Sequence, residues 1–292
     1  MKIPERDTRG ITRMKENVIT RLASLDIPKK DKDTFMSLYN VATTVKFGKI
    51  SPRQEGYILG NYKMPRCTSV LQMDGSKAGA LAEWGKRQVA ARAKELLLAH
   101  IGKSNVLTSD DINRVCKIAL LDPDKQKTDA ATAGTQHHDN FENWLMGYEF
   151  VDNEPLNRFK QAWNAFGGIC VATEVPLLWH KGKLGFGGKL DILAYKDGKW
   201  WIGDNKTSRS VHDSYGCQTS AYANAVEQMT NGKIKIEGAV IFHIPDLNTM
   251  SEKQKKEYNE NGSTLYVKNM GEAFEHYRLL LGLYSKRNNR YF

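Results

Sequence analysis

KLDILAYKDGKWWIGDNKTS, residues 189–208, reads as two strands joined by a tight turn. Asp197-Gly198 lies between the two apolar arms and is a preferred pair for a two-residue type I′ hairpin turn. Each arm carries an aspartate among apolar neighbours, Asp191 in one and Asp204 in the other, and Lys206 follows the second. Strand interiors disfavour aspartate, so both need a reason. If the turn takes two residues, Lys196 faces Lys199, and counting back pair by pair sets Asp191 across from Asp204. Opposed side chains share a face with Cβ atoms about 5 Å apart. Lys206, two residues beyond Asp204, points to that face as well. The whole register depends on an unbroken hairpin, because one bulge would shift it.

Two carboxylates so placed repel unless a cation or a proton lies between them. A hard divalent cation with oxygen ligands, Mg²⁺ or Mn²⁺, is one solution. A shared proton is another. Lys206 favours the cation, since an ammonium beside a metal-activated water suits phosphodiester hydrolysis. The alternative without chemistry is a surface Asp/Asp/Lys cluster held by its own ion pairs.

Strand signals extend to either side of this hairpin. GICVATEVPLLWH, a Lys-Gly-Lys turn and LGFGGKLDILAY precede the Asp-Gly turn, which gives a three-stranded meander. A helix is expected over Asp213 to Met229, then strands at GAVIFHI and STLYVK, then a closing amphipathic helix in GEAFEHYRLLLGLYSK. Upstream, helical patterns surround Val18 to Leu25 and Thr34 to Val45, and Ser51-Pro52-Arg53-Gln54 resembles a helix start. SKAGALAEWGKRQVAARAKELLLAH, Ser76 to His100, reads as a long helix with an apolar stripe of Leu81, Trp84, Val89, Ala93 and Leu96, and Lys86 and Arg87 on a basic surface. Another helix is expected from Ser109 to just before Pro123, and one more around Phe159 to Phe166. In AATAGTQHHDNFENWLMGY, Gly134, His138, Phe141, Leu145 and Tyr148 share one helical face. His138 is then either a satisfied core histidine or a ligand. Helices followed by a hairpin-rich sheet, a helix and further strands give an α/β or α+β fold. The expected division is a basic helical N-terminal extension over 1–60, a helical part over 61–167 and a sheet core over 168–292.

The chain has 292 residues, with 43 Lys and Arg against 33 Asp and Glu, a net charge of +10. That surplus favours polyanionic partners, nucleic acid above all, though simple solubility has the same signature. The start, MKIPERDTRG, has no apolar core for a secretory signal, and no run suits a membrane span, so a cytoplasmic protein is expected. Cys67, Cys116, Cys170 and Cys217 are too scattered for a C-x-x-C zinc site and are expected to be free core thiols.

The run from Asp191 through Asp204-Asn205-Lys206 resembles the core motif of the PD-(D/E)XK nuclease superfamily. It is most similar to the RecB-like branch, which includes phage exonucleases and mitochondrial genome-maintenance exonucleases. Gly134-Thr135-Gln136-His137-His138 with Glu142 resembles the histidine motif of that branch, and Glu174 in TEVPLLW sits where the branch often has an acidic residue. Gln218-Thr219-Ser220-Ala221-Tyr222 matches its Q-x-x-x-Y motif. Each motif alone is common, but the four occur in the right order on the expected elements, over about residues 65–285.

The resemblance implies a restriction-endonuclease-like core, a mixed central sheet with flanking helices. It implies that Asp191, Asp204, His138 and the backbone carbonyl of Asn205 ligate Mg²⁺ or Mn²⁺, with Glu174 an occasional further partner. Lys206 would position or activate the attacking water, and Gln218 and Tyr222 would contact DNA or hold the site together. Lys189, Ser208, Arg209, Lys86 and Arg87 are candidate DNA contacts. The helices before residue 150 would form a basic wall over the strand, with Trp84 or Trp144 available for stacking unless they are core. Several relatives carry an iron–sulfur cluster with three cysteines near the C-terminus; no cysteine follows Cys217 here, so none is expected. The implied activity is exonucleolytic hydrolysis of DNA, from ends or single strands, in phage-like replication, recombination or repair. A structure-specific endonuclease and a catalytically silent nucleic-acid-binding module are the alternatives. The chain has no G-x-x-x-x-G-K-S/T motif, so a helicase, recombinase or single-strand-binding partner would be a separate chain.

Overall fold

The computed structural model describes residues 18–52, 54–102 and 106–288; the MKIPERDTRG start and Arg53 lie outside them. The chain divides into two compact units, residues 74–137 and the remainder.

The larger unit is built on a mixed five-stranded sheet in the order β4-β5-β6-β7-β8. The strands are β4 Ile169–Lys181, β5 Leu184–Lys196, β6 Lys199–Lys206, β7 Ile236–His243 and β8 Thr264–Tyr266. The first three form the expected antiparallel meander, β7 runs parallel to β6, and β8 is antiparallel to β7. Helix α7, Asp213–Met229, is the crossover a parallel pair requires. The hairpin turn takes two residues: Lys196 pairs with Lys199, and Asp197 and Gly198 have φ of 51° and 77°. Both central residues of a type I′ turn need positive φ, and Asp-Gly supplies them at low cost.

Each face of the sheet is covered. On one lie α2 Lys29–Ala42, α3 Cys67–Leu71, α7 and α9 Met270–Arg287, sharing a core that includes Phe35, Leu38, Leu190, Leu193, Ala221 and Tyr277. On the other lie α6 Glu154–Phe166 and residues 138–146 of helix α5, whose Phe141, Phe159 and Phe166 pack with Ile192, Ala194 and Phe242. Rings of Phe141 and Phe159 stack at 4.6 Å. Burying each such side chain contributes about 1.5–3 kcal/mol. Asn153 caps α6, accepting from Leu156 N–H, Pro155 lies in its first turn, and Gly167 ends it at φ 72°.

Several expectations are corrected. The described N-terminal residues are not a separate extension: Val18, Leu22, Phe35 and Leu38 are part of the main core, so no boundary falls at residue 60. The described part of a first helix, α1, covers residues 18–24. Ser51-Pro52-Arg53-Gln54 is no helix start. Ser51 pairs with Gln54 between β1 Lys46–Ser51 and β2 Gln54–Leu59, which with β3 Tyr62–Pro65 form a three-stranded antiparallel sheet. Helix α8, Glu252–Asn261, was not foreseen, although Ser251 and Gln254 form a capping box at its start.

The smaller unit contains α4 Ser76–Ile101 and the first part of α5, Ser109–Met146. Helix α5 does not stop at Pro123. A proline removes one i→i−4 bond, and here helical sequence on both sides carries the helix through. Arg92 of α4 faces Asp122 at 3.9 Å, and Gln88 and Gln126 hydrogen-bond at 3.2 Å. Leu81 of the α4 stripe is exposed, and Trp84, Val89, Ala93 and Leu96 are half-buried, so this stripe makes no closed core.

Candidate active site

The β5–β6 ladder runs in the expected register from Lys196–Lys199 to Ile192–Gly203 and stops there. One step further lie Asp191 and Asp204. The β4–β5 ladder pairs Thr173 with Ile192 and Val175 with Leu190, so Glu174 falls opposite Asp191, and that pair too is missing from the ladder. Three acidic residues, Glu174, Asp191 and Asp204, therefore stand in a row across three strands.

The interruption has a visible backbone cause. Leu190 and Leu193, three positions apart, both face the α7-side core, while Ile192 and Ala194 face the α6 side. In an unbroken strand residues three apart point to opposite faces, so the alternation slips by one at Asp191. The same slip occurs in β4, where Ala172 and Val175 share the α7-side core. Between them Glu174 has φ 54°, a left-handed backbone that costs a side-chain-bearing residue about 1–2 kcal/mol. The unbroken hairpin assumed from the sequence ends one residue early, yet Asp191 stays close enough to Asp204 to feel its charge.

Asp191 takes over the missing ladder bond. The backbone N–H of Asn205 donates to its Oδ2 at 2.9 Å, and His138 Nδ1 lies 3.5 Å from the same oxygen. A strand residue points its N–H and C=O to the same side, so the Asn205 carbonyl also faces the open edge beside Asp191. His138, Glu142, Thr173, Glu174, Asp191 and Asn205 line a small cavity with about 20 Å³ of space, enough for one water-sized occupant. Thr173 donates a hydrogen bond to Glu142 at 2.9 Å, and Lys189 pairs with Glu174. Burial and the charge of Glu174 push the Glu142 carboxyl up to about 7. Burial and the Asp204 charge push Asp191 up to about 6.

Asp204 is different. Its side chain is 0% exposed, it pairs with Lys206, and its Oδ1 is buried without a hydrogen-bond partner. It does not line the cavity on the other side of Asp191. Burial pulls the Lys206 ammonium down, but Asp204 and Asp191 outweigh it and the group is held above the usual lysine value. Lys206 Nζ also sits 5.2 Å from the centre of the Tyr215 ring, whose hydroxyl is 2.6 Å from Ser208 Oγ. His243, at the end of β7, donates from Nε2 to the Ser208 carbonyl at 2.7 Å, fixing the loop after β6.

Gln218 and Tyr222 lie one turn apart on α7, hydrogen-bonded at 3.4 Å, and both are buried. Tyr222 packs on β5, where a Cβ at Gly188 would meet its ring at 2.3 Å. Of the two roles expected for this pair, contacting DNA or holding the site together, the burial suits the second: Tyr222 lies near enough to feel the charges of both aspartates and is covered. Arg209 is exposed near the site, and Ser208 is half-buried. Lys86 and Arg87 are exposed on α4 in the other unit, with Lys86 paired to Glu83 at 2.6 Å. Cys67, Cys170 and Cys217 are buried free thiols, but Cys116 is exposed, so it is no core residue. Trp144 is half-buried with its ring edge-on to Phe159 at 6.0 Å, a core contact.

Glu142 and Tyr215 were underrated in the sequence. Glu142 lies one turn after His138 on the same helix, and Tyr215 lies one turn before Gln218; both spacings were legible.

The oxygen-rich donors and the unpartnered Asp204 Oδ1 suit a hard divalent cation by chemistry. Among the described residues, however, no three His, Cys, Asp or Glu side chains stand in a metal-holding group. Asp204 is held by Lys206 and Asp191 by the Asn205 N–H, so donors are gathered without forming a finished ligand set.

The fold and site define a mixed α+β protein with a carboxylate cluster at an interruption of its central sheet. No protein-family model matches the chain, and no curated protein matches it. Among the described residues no helix is long and apolar enough to cross a membrane.

Proposed function

We propose that this chain is a metal-dependent deoxyribonuclease of the PD-(D/E)XK type with a restriction-endonuclease-like core, acting as an exonuclease on DNA ends or single strands. The observation that carries the reading is Asp204: fully buried, one oxygen without a partner, paired with Lys206 and close enough to Asp191 to raise its carboxyl. Burying a carboxylate with an unfilled oxygen is costly, and the resemblance in sequence accounts for retaining it.

Asp191, Asp204 and the Asn205 carbonyl would hold Mg²⁺ or Mn²⁺, with His138 and Glu174 beside them. A bound divalent cation would supply Lewis acidity toward a phosphate oxygen. Lys206, kept protonated by the aspartates, stabilises negative charge that builds on the phosphate as water adds and the leaving oxygen departs. Tyr215 fixes where that ammonium sits. Glu142, with a carboxyl near neutrality, can take up a proton at working pH. Lys189 offsets the charge of Glu174 where a phosphodiester must approach. The surplus of +10 favours a polyanionic substrate, and a helicase, recombinase or single-strand-binding protein would be a separate partner.

One observation favours the catalytically silent module instead: the Lys206–Asp204 pair balances charge without any cation. A single set of measurements separates the readings. End-labelled single- and double-stranded DNA and closed circular DNA are incubated with Mg²⁺ or Mn²⁺, beside an EDTA control. Asp204→Asn and Lys206→Met variants are run in parallel, and Mn²⁺ binding is followed by its paramagnetic resonance signal. The nuclease reading expects cation-dependent cleavage of linear DNA that both variants lose, with Mn²⁺ binding weakened by Asp204→Asn. Cleavage of circles would establish the endonuclease. DNA binding without cleavage would establish the silent module.

A further inference from the structure

The small β1–β2–β3 sheet carries a groove that the candidate active site does not use. Lys49, Pro52, Gln54, Glu55, Arg66 and Ser69 line it around about 380 Å³ of space. Its chemistry is that of a phosphate-binding surface: an ammonium, a guanidinium, an amide and a hydroxyl against one carboxylate. The segment as a whole repeats the bias, since residues 46–66 contain Lys46, Lys49, Arg53, Lys63 and Arg66 but only Glu55 as an acid. Lys46, Lys49 and Lys63 are exposed. Arg66 is half-exposed; it pairs with Glu55 at 2.6 Å and lies 4.7 Å from the centre of the Phe47 ring, which holds its guanidinium at the groove wall. Only one of its terminal nitrogens is used by that pair, so the guanidinium keeps donors for a phosphate.

The groove lies beside β5, the strand that carries Asp191. Arg66 forms a β-bridge with Gly187 of β5, and a Cβ at Gly187 would meet the Tyr57 ring of β2 at 2.4 Å, so the small sheet seats directly on β5 there. Gly187 and Lys189 point to the same face, and Asp191 follows two residues on. From Gly187 to Asp191 is roughly 13 Å along the strand, at about 3.3 Å per residue. At the far end of β3, Tyr62 is 54% exposed and its ring stacks on His180 at 5.8 Å, leaving an open aromatic face.

We propose that this groove is a binding track for the sugar–phosphate backbone of single-stranded DNA, with Arg66 and Lys49 on phosphates and Tyr62 as a stacking platform. Basic groups interleaved with an exposed aromatic are the physical signature of single-strand binding. The proposal rests on the nuclease reading for its direction, since Arg66 bridges to β5, the strand that carries Lys189 and Asp191.

The test measures binding and cleavage separately on the full chain. Anisotropy of a fluorescent 20-nucleotide thymidylate strand is titrated in EDTA at several salt concentrations. Wild type is compared with a Lys49→Glu/Arg66→Gln double variant, Tyr62→Ala and the surface control Lys253→Glu, all with melting temperatures matched to wild type. The double variant is expected to bind at least about tenfold more weakly, with the log–log salt slope shallower by about 1.4, as loss of two phosphate contacts requires. Tyr62→Ala should weaken binding by about five- to tenfold with the salt slope unchanged, and Lys253→Glu should match wild type. In cleavage assays the double variant's defect should appear as a raised KM. Binding by the double variant equal to wild type, or no binding by wild type, overturns the track. Wild-type cleavage with no change in the double variant overturns the track and leaves the nuclease reading intact. Weakened binding without wild-type cleavage keeps the track and removes the nuclease reading. A duplex or a uridylate strand bound more tightly than thymidylate, with equal loss in the double variant, would overturn the assignment to single-stranded DNA.

Discussion

Two halves of the carboxylate cluster meet at Asp191 and behave differently. On the α7 side Asp204 is sealed, and its partner Lys206 is held charged by the aspartates around it. On the α6 side Asp191, Glu174 and Glu142 surround a small cavity, with Asp191 pushed up to about 6 and Glu142 to about 7. The sealed half presents a charge that solvent and modest pH changes scarcely alter. The open half changes protonation in the neutral range. Under the proposed nuclease reading, the permanently positive group would stabilise charge on the phosphate, and a carboxyl such as Glu142 could exchange a proton.

Breaking the sealed half should have the largest effect. Lys206→Ala leaves Asp204 buried and uncompensated, and removing one partner of a buried pair typically costs about 3–5 kcal/mol. Urea denaturation in EDTA should show that loss, and Asp204→Asn/Lys206→Met together should recover most of it. A loss near zero for Lys206→Ala would mean that Asp204 is solvated, and the contrast would collapse.

The seam under β5 is the next test. Gly188→Ala would place a Cβ 2.3 Å from the Tyr222 ring, and overpacking of this kind costs about 1–3 kcal/mol. The pair Gly188→Ala/Tyr222→Leu should recover part of the loss in thermal denaturation. If Gly188→Ala alone is neutral, α7 is not seated on β5 as described.

The open half is tested by pH. Glu142 holds its proton more tightly folded than unfolded, so the folded state binds more protons between the ordinary carboxyl range and about 7. Stability from this group is fully present below that range and declines as pH rises through about 7. Glu142→Gln removes the decline, so in EDTA wild type should lose about 3 kcal/mol relative to the variant between pH 4.5 and pH 8. Parallel stability profiles would show that Glu142 is solvated.

The smallest effect concerns the backbone. Glu174→Gly relieves the left-handed φ of 54° and should stabilise the fold by up to about 1 kcal/mol, less what the Lys189 pair contributes. Lower cleavage activity beside equal or higher stability would mark Glu174 as strained in the service of the site.

The hairpin and its Asp-Gly turn, helix α7 and the succession of β4 to β8 along the chain were legible because each rests on local patterns: alternation, turn chemistry and helical spacing. Asp191, Asp204 and Lys206 stood out because charges are rare in apolar strands. The paired slips at Glu174 and Asp191 were not legible, since the run Leu190–Leu193 reads equally well in either phase when both faces of a strand are buried. The path of α5 through Pro123 and the strands around Ser51 were misread for a related reason. Proline and a cap-like serine bias the backbone locally, and packing against neighbours outweighs that bias.

The amino-acid sequence by itself determined which residues carry charge into the sheet, the turn that sets their register and the basic surplus of the surface. Only the tertiary structure decided that Asp204 is sealed while Asp191 opens onto a cavity, and that Lys206 faces Asp204 and Tyr215. It also decided that the N-terminal helices complete the main core. Spacing along a strand specifies which residues are neighbours, but burial and the electrostatic environment are set by what packs over them, and those partners come from segments far apart in the chain.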